Sequence, residues 1–236
     1  MIFVKNKLLI LHGALGSQEQ FENLEENLTD EFEVYKFNFT WHGGGDIPPQ
    51  SFSIDLFSKD LIEFLKKQNF QDINIFGYSM GGYVALYTVI NSNSLINNCI
   101  KKIFTLGTKF NWNPETSRKE ASMLNPEDIE SKIPKFADIL KKRHTEKNWK
   151  SVLNKTAEMM INLGNNPEIK TEDLSKIDIP VLITVGDKDN MVTIDESSTV
   201  AGKINGAKFK VLENTFHPIE KVDIEMLSNE IKNFIN

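Results

Sequence analysis

Apolar positions in this chain recur with two periods, and the two periods take turns along most of its length. Lys7 to Leu11 ends in an unbroken Leu-Leu-Ile-Leu run, the pattern of a strand buried on both faces. Phe21, Leu24 and Leu28 then fall at helical spacing and predict an amphipathic helix over Phe21–Leu28. Glu33 to Phe39 alternates polar and apolar residues, which predicts a second strand. Apolar residues at 54, 57, 61, 62, 64 and 65 predict a helix over Ser53–Phe64. Ile73 to Phe76 reads as a strand running straight into a glycine-rich turn. Tyr83 to Ile90 is an apolar, and therefore buried, helix, and Ile103 to Leu106 is the next strand.

There the alternation stops. Between Lys109 and Lys176 no strand pattern occurs, only helix-like pieces separated by Pro114, Pro126, Pro134 and Pro167. A stretch of that length inside an alternating chain reads as a helical insertion. The rhythm resumes with a strand at Pro180–Val185, a helix around Asp195–Lys203, a strand at Lys208–Leu212 and a closing helix over Ile219–Phe234. Alternating strands and helices specify an α/β fold with a mostly parallel central sheet flanked by helices. Residues 1–108 and 177–236 would form its core, and residues 109–176 a helical cap inserted into it.

Composition narrows the chemistry. The 236 residues carry a net charge of −6, which argues against nucleic acid as a partner, since phosphate binding needs a basic surface. The densest basic run, Lys141-Lys142-Arg143-His144, is one helical turn long and reads as a solvated face. The single cysteine, Cys99, follows an Asn-rich loop and opens an apolar strand, so a buried structural thiol is expected. The apolar run after Lys5 and Lys7 is too short for a signal-peptide core and lacks a cleavage site. No stretch approaches the roughly 20 apolar residues of a membrane span. The sequons at Asn27, Asn38 and Asn154 carry no weight without a secretory signal. These features predict a cytoplasmic protein, monomer or homodimer, that acts on a small molecule without membrane, metal or cofactor.

The chemistry is carried by Gly77-Tyr78-Ser79-Met80-Gly81-Gly82, set between an apolar strand and an apolar helix. A serine exposed on so sharp a strand-to-helix turn needs neighbours without bulky side chains at positions two before and two after it. A nucleophilic serine also needs a base, an acid to orient the base, and donors for an oxyanion. Two acids follow the Val181–Val185 strand. Asp187 suits an Asx-type turn, and Asp189, further out on the loop, is favoured as the orienting acid. His217 follows the last strand and is the expected base. His12 ends the first strand and is expected to brace its loop. The backbone N–H groups of Ala14 and Met80 are the expected oxyanion donors.

With these pieces in the order Ser79, Asp189, His217, the sequence resembles the α/β-hydrolase fold superfamily, in its small group with an inserted helical cap. The resemblance covers essentially the whole chain. It rests on Leu11-His12-Gly13, the Trp41-His42-Gly43-Gly44-Gly45 loop, the Ser79 turn, Gly186 to Val192, and Phe216-His217. The chain departs from the family at Trp41, where glycine is usual, and at Phe216, which is expected to narrow the active-site floor. The resemblance implies that Asp46 and the glycines of the 42–45 loop are structural elements near the site mouth. It also implies hydrolysis of an ester bond, with other triad-dependent enzymes (lyase, acyltransferase or perhydrolase) and ligand receptors with vestigial catalysis as the alternatives. Epoxide and haloalkane hydrolases are disfavoured, because their nucleophile is an aspartate.

Aromatic residues and methionines of the insertion include Trp112, Trp149 and Met160. With Leu15 these are the expected substrate-binding side chains, lining an apolar pocket for an acyl or alcohol group. No lysine or arginine is placed in the sequence so as to demand an anionic substrate. A small, largely apolar ester or thioester is the expectation.

Overall fold

The computed structural model describes residues 5–45 and 50–236. Asp46 lies outside the described residues. Among the described residues, six strands form one sheet: β1 (Asn6–Leu11), β2 (Phe32–Lys36), β3 (Ile73–Tyr78), β4 (Ile100–Leu106), β5 (Val181–Gly186) and β6 (Lys208–Leu212). Their order is β2-β1-β3-β4-β5-β6, and every pairing is parallel. The chain steps from β1 outward to β2, then back across to β3. The carboxyl ends of β1 and β3 therefore flank the point where strand order reverses, the crevice in which open α/β sheets bind ligands.

Among the described residues, ten α-helices accompany the sheet. In chain order they are α1 (Glu22–Leu28), α2 (Ile54–Lys67), α3 (Met80–Asn91), α4 (Ser94–Cys99), α5 (Pro114–Ser122), α6 (Pro126–Lys132), α7 (Pro134–His144), α8 (Trp149–Asn165), α9 (Ile194–Ala201) and α10 (Ile224–Ile235). The side-chain period of two divides the strands between two cores. Leu9, Leu11, Ile75 and Ile103 pack with α2 and α3 on one face. Leu8, Ile10, Phe76 and Phe104 pack with α1 and α10 on the other. Four helices, α5 to α8, lie between β4 and β5 where the sequence has no strand pattern.

Several local expectations shift. The second strand ends at Lys36, because Phe37 and Phe39 leave the sheet to pack on Phe64 and Phe57 of α2. Cys99 closes α4 rather than opening a strand. It is buried, and its thiol donates to the carbonyl of Ile96. Pro114, Pro126 and Pro134 start helices instead of interrupting them, since the N–H that proline lacks is unpaired in a first turn anyway. The closing helix is split into a 3-10 turn at Ile219–Lys221 and α10, because Asp223 caps α10 by accepting from the Met226 amide. Arg143 and His144 are not a solvated face. His144 is fully buried, and both side chains reach back to the carbonyl of Leu15.

Candidate active site

The turn between β3 and α3 fixes Ser79. Its backbone sits at φ 51°, ψ −117°, a conformation side-chain-bearing residues rarely adopt and one that persists only where the surroundings enforce it. The Ser79 amide donates to the Leu106 carbonyl (2.8 Å), and the Thr108 hydroxyl donates to the Ser79 carbonyl (3.0 Å). The glycines admit the close approach this needs. A Cβ on Gly77 would stand 2.5 Å from the Cα of Gly82, and one on Gly81 would stand 2.5 Å from the Leu11 carbonyl. Met80 is the first residue of α3, so its amide N–H has no partner within the helix. It faces the end of the helix where partial positive charge collects.

Loops after β5 and β6 complete the constellation. Asp189 Oδ2 accepts from His217 Nδ1 at 2.7 Å, while Oδ1 accepts the amides of Met191 and Val192 at 2.8 Å each. That side chain is 2% exposed. His217 Nε2 lies 3.3 Å from Ser79 Oγ. The other acid, Asp187, accepts the Thr215 amide at 3.0 Å and so ties down the loop that carries the histidine. Tyr78, buried beside the serine, donates its hydroxyl to the His217 carbonyl at 2.7 Å. Burial pushes that hydroxyl far above the ordinary tyrosine range, and it stays a donor.

The loop after β1 is held from two sides. His12 is fully buried: its Nδ1–H donates to the Gly13 carbonyl (2.8 Å) and its Nε2 accepts from the Phe39 amide (3.1 Å). His144 Nε2–H donates to the Leu15 carbonyl (3.0 Å), Nδ1 accepts from the Gly43 amide (3.2 Å), and Arg143 adds a bond to the same Leu15 oxygen (2.8 Å). Burial lowers both histidines to about 4, so each is neutral near pH 7. Leu15 itself is left-handed (φ 57°), as is Trp41 (φ 68°), which stacks on Phe52.

A cavity of about 30 Å³ opens on the serine, lined by Ala14, Ser79, Met80, Trp112 and Met160, together with Ile54, Tyr83, Lys109, Met159, Leu163 and Met191. Trp112 also borders a surface groove of about 470 Å³ between the segment that follows β4 and α9. Of the four side chains expected to bind substrate, the structure brings Trp112 and Met160 to the serine. Trp149 is buried instead under Lys141 and Lys150, and Leu15 contributes its clamped carbonyl rather than a pocket wall. Phe216 does not narrow the floor; it is 41% exposed, with Lys188 and Lys221 over its ring. Sequence reasoning missed Lys109, Tyr83 and Met191. Lys109 had a usable signal, its place three residues beyond a strand's carboxyl end. Among the described residues no cluster of acids, histidines or cysteine is arranged to hold a metal, and no helix is long and apolar enough to cross a membrane.

A family model described as alpha/beta hydrolase fold matches residues 6–126. A probable alcohol acetyltransferase of Cyberlindnera jadinii is 27% identical over 39% of this chain; the match spans only 26% of that protein's length. A proline iminopeptidase of Lactobacillus crispatus is 24% identical over 94% of this chain and 89% of its own. Among solved structures, a putative lipase from Acinetobacter baumannii superposes with a TM-score of 0.80 at 21% identity, covering 98% of this chain and 83% of that one. At that identity the likeness speaks to the fold alone.

Proposed function

The chain belongs to the alpha/beta hydrolase fold family, and we propose that it is a serine hydrolase of short-chain carboxylic esters or thioesters. The observation that carries this reading is the relay Ser79 Oγ–His217 Nε2 (3.3 Å) and His217 Nδ1–Asp189 Oδ2 (2.7 Å), built on a strained turn. Asp189 accepts a hydrogen bond from Nδ1–H and so holds that proton on Nδ1, which leaves Nε2 as the acceptor facing Ser79. Ser79 Oγ attacks the acyl carbon as Nε2 takes its proton. The oxyanion is received by the amides of Ala14 and Met80. His217 returns the proton to the leaving alcohol or thiol, and the acyl group stays on Ser79. Water, deprotonated by His217, then releases the acid and restores the serine.

Helices α5 to α8 serve as the cap. Met159, Met160 and Leu163 of α8 close the cavity over the serine, and its volume of about 30 Å³ favours a short acyl group. Transfer of the acyl group to an alcohol in place of water is the second reading. It draws on the mostly apolar lining, which disfavours water, and on the similarity to the acetyltransferase segment. The test is a panel of p-nitrophenyl esters from acetyl to decanoyl, with and without ethanol. Fastest turnover at the short end, lost in Ser79→Ala, supports the hydrolase. Failure to turn over any ester contradicts it, and ethyl ester formed in place of free acid supports transfer.

A further inference from the structure

One cation stands at the wall of the serine's cavity. Lys109 follows β4 and the Gly107-Thr108 turn, is only 8% exposed, and lines the cavity together with Ser79, Trp112 and Met191. Its ammonium donates to the Met191 carbonyl at 3.0 Å and lies 5.8 Å from the centre of the Trp112 ring, so it sits between two other lining residues. Among the described residues it makes no ion pair. Glu196, which reaches the adjacent backbone, is occupied by the amides of Phe110 and Asn111.

An ammonium carries three donors, and one carbonyl uses one of them. Burying a cation without a counter-charge is costly, and a chain of net charge −6 repels anions unless a local cation receives them. We propose that Lys109 is a specificity residue that receives a carboxylate of the substrate. The favoured substrate is then a short ester or thioester that bears a second, free carboxylate on its acyl part. This rests on Ser79 being the nucleophile. The competing role is a brace: the Met191 carbonyl belongs to the loop whose amide holds Asp189. A brace affects every substrate alike, whereas a carboxylate site discriminates between them.

The test compares monoethyl succinate with ethyl butyrate, which have four-carbon acyl groups and differ in the free carboxylate, by acid release in a pH-stat. Wild type is expected to favour the succinate ester in kcat/KM. Lys109→Met should lower the succinate-to-butyrate ratio at least tenfold, and Lys109→Arg should retain most of it. The ratio cancels any general damage from a disturbed Asp189 loop. A ratio unmoved by Lys109→Met, or a wild type that favours the butyrate, overturns the proposal. Fluorophosphonate labelling of the same samples separates the two readings. Labelled Ser79 with an unmoved ratio removes only the Lys109 site, whereas an unlabelled wild type removes the nucleophile and the proposal with it.

Discussion

Buried His12 and His144 make stability depend on pH in a window that can be worked out from their surroundings. Each spends Nε2 and Nδ1 on one donated and one accepted backbone bond, so a second proton would break a bond as well as bury a charge. Their folded pKa is about 4, against 6.5 for an unperturbed histidine. Between those values the unfolded chain binds protons that the folded chain does not, so stability is fully present above about pH 6.5 and drains away as pH falls toward 4. At pH 5 each group has lost about 2 kcal/mol relative to pH 7.5, or about 4 kcal/mol for the pair. That is a large part of the stability of an ordinary domain. Urea unfolding followed by tryptophan fluorescence at the two pH values reads it directly. His144→Gln should be less stable at pH 7.5 but should lose about 2 kcal/mol less than wild type on going to pH 5. An identical pH-dependent loss in both proteins would refute the assignment of a buried neutral histidine.

Two further outcomes concern the site. In Asp189→Asn the carbonyl oxygen is retained by the Met191 and Val192 amides, which turns the NH₂ toward His217 Nδ1. That forces the proton onto Nε2, and kcat should fall by about 10⁴ with little change in KM, measured on the best short ester. Trp112 lines both the cavity of about 30 Å³ and the groove of about 470 Å³, so Trp112→Ala should open one into the other and move the preferred acyl length upward in the ester panel. An unchanged length profile would place the acyl group elsewhere.

Much of this molecule is legible in its sequence, for identifiable reasons. Strands β1, β3 and β5 are buried on both faces and write themselves as apolar runs, and the Ser79 turn needs glycines that no other residue can replace. The alternation overstates the second strand because Phe37 and Phe39 keep the period of a strand while packing on α2. Helix α4 is hidden in an Asn-rich stretch with the composition of a loop, although Asn93 caps it by accepting from the Leu95 and Ile96 amides. The clamp on Leu15 was invisible, because it joins residues 128 and 129 positions apart. The same holds for the substrate pocket. Which methionine or tryptophan between β4 and β5 reaches Ser79 depends on how α8 lies on the sheet, and helical period alone cannot tell Trp149 from Met160.

Every chemical step proposed for this chain depends on Ser79 as the nucleophile. Its most direct test is to expose the protein to a fluorophosphonate probe and locate the adduct by peptide mass spectrometry, beside Ser79→Ala and His217→Ala. One adduct is expected, on Ser79, absent from Ser79→Ala and formed far more slowly in His217→Ala. A wild type left unlabelled, or labelled equally well without Ser79, would contradict it.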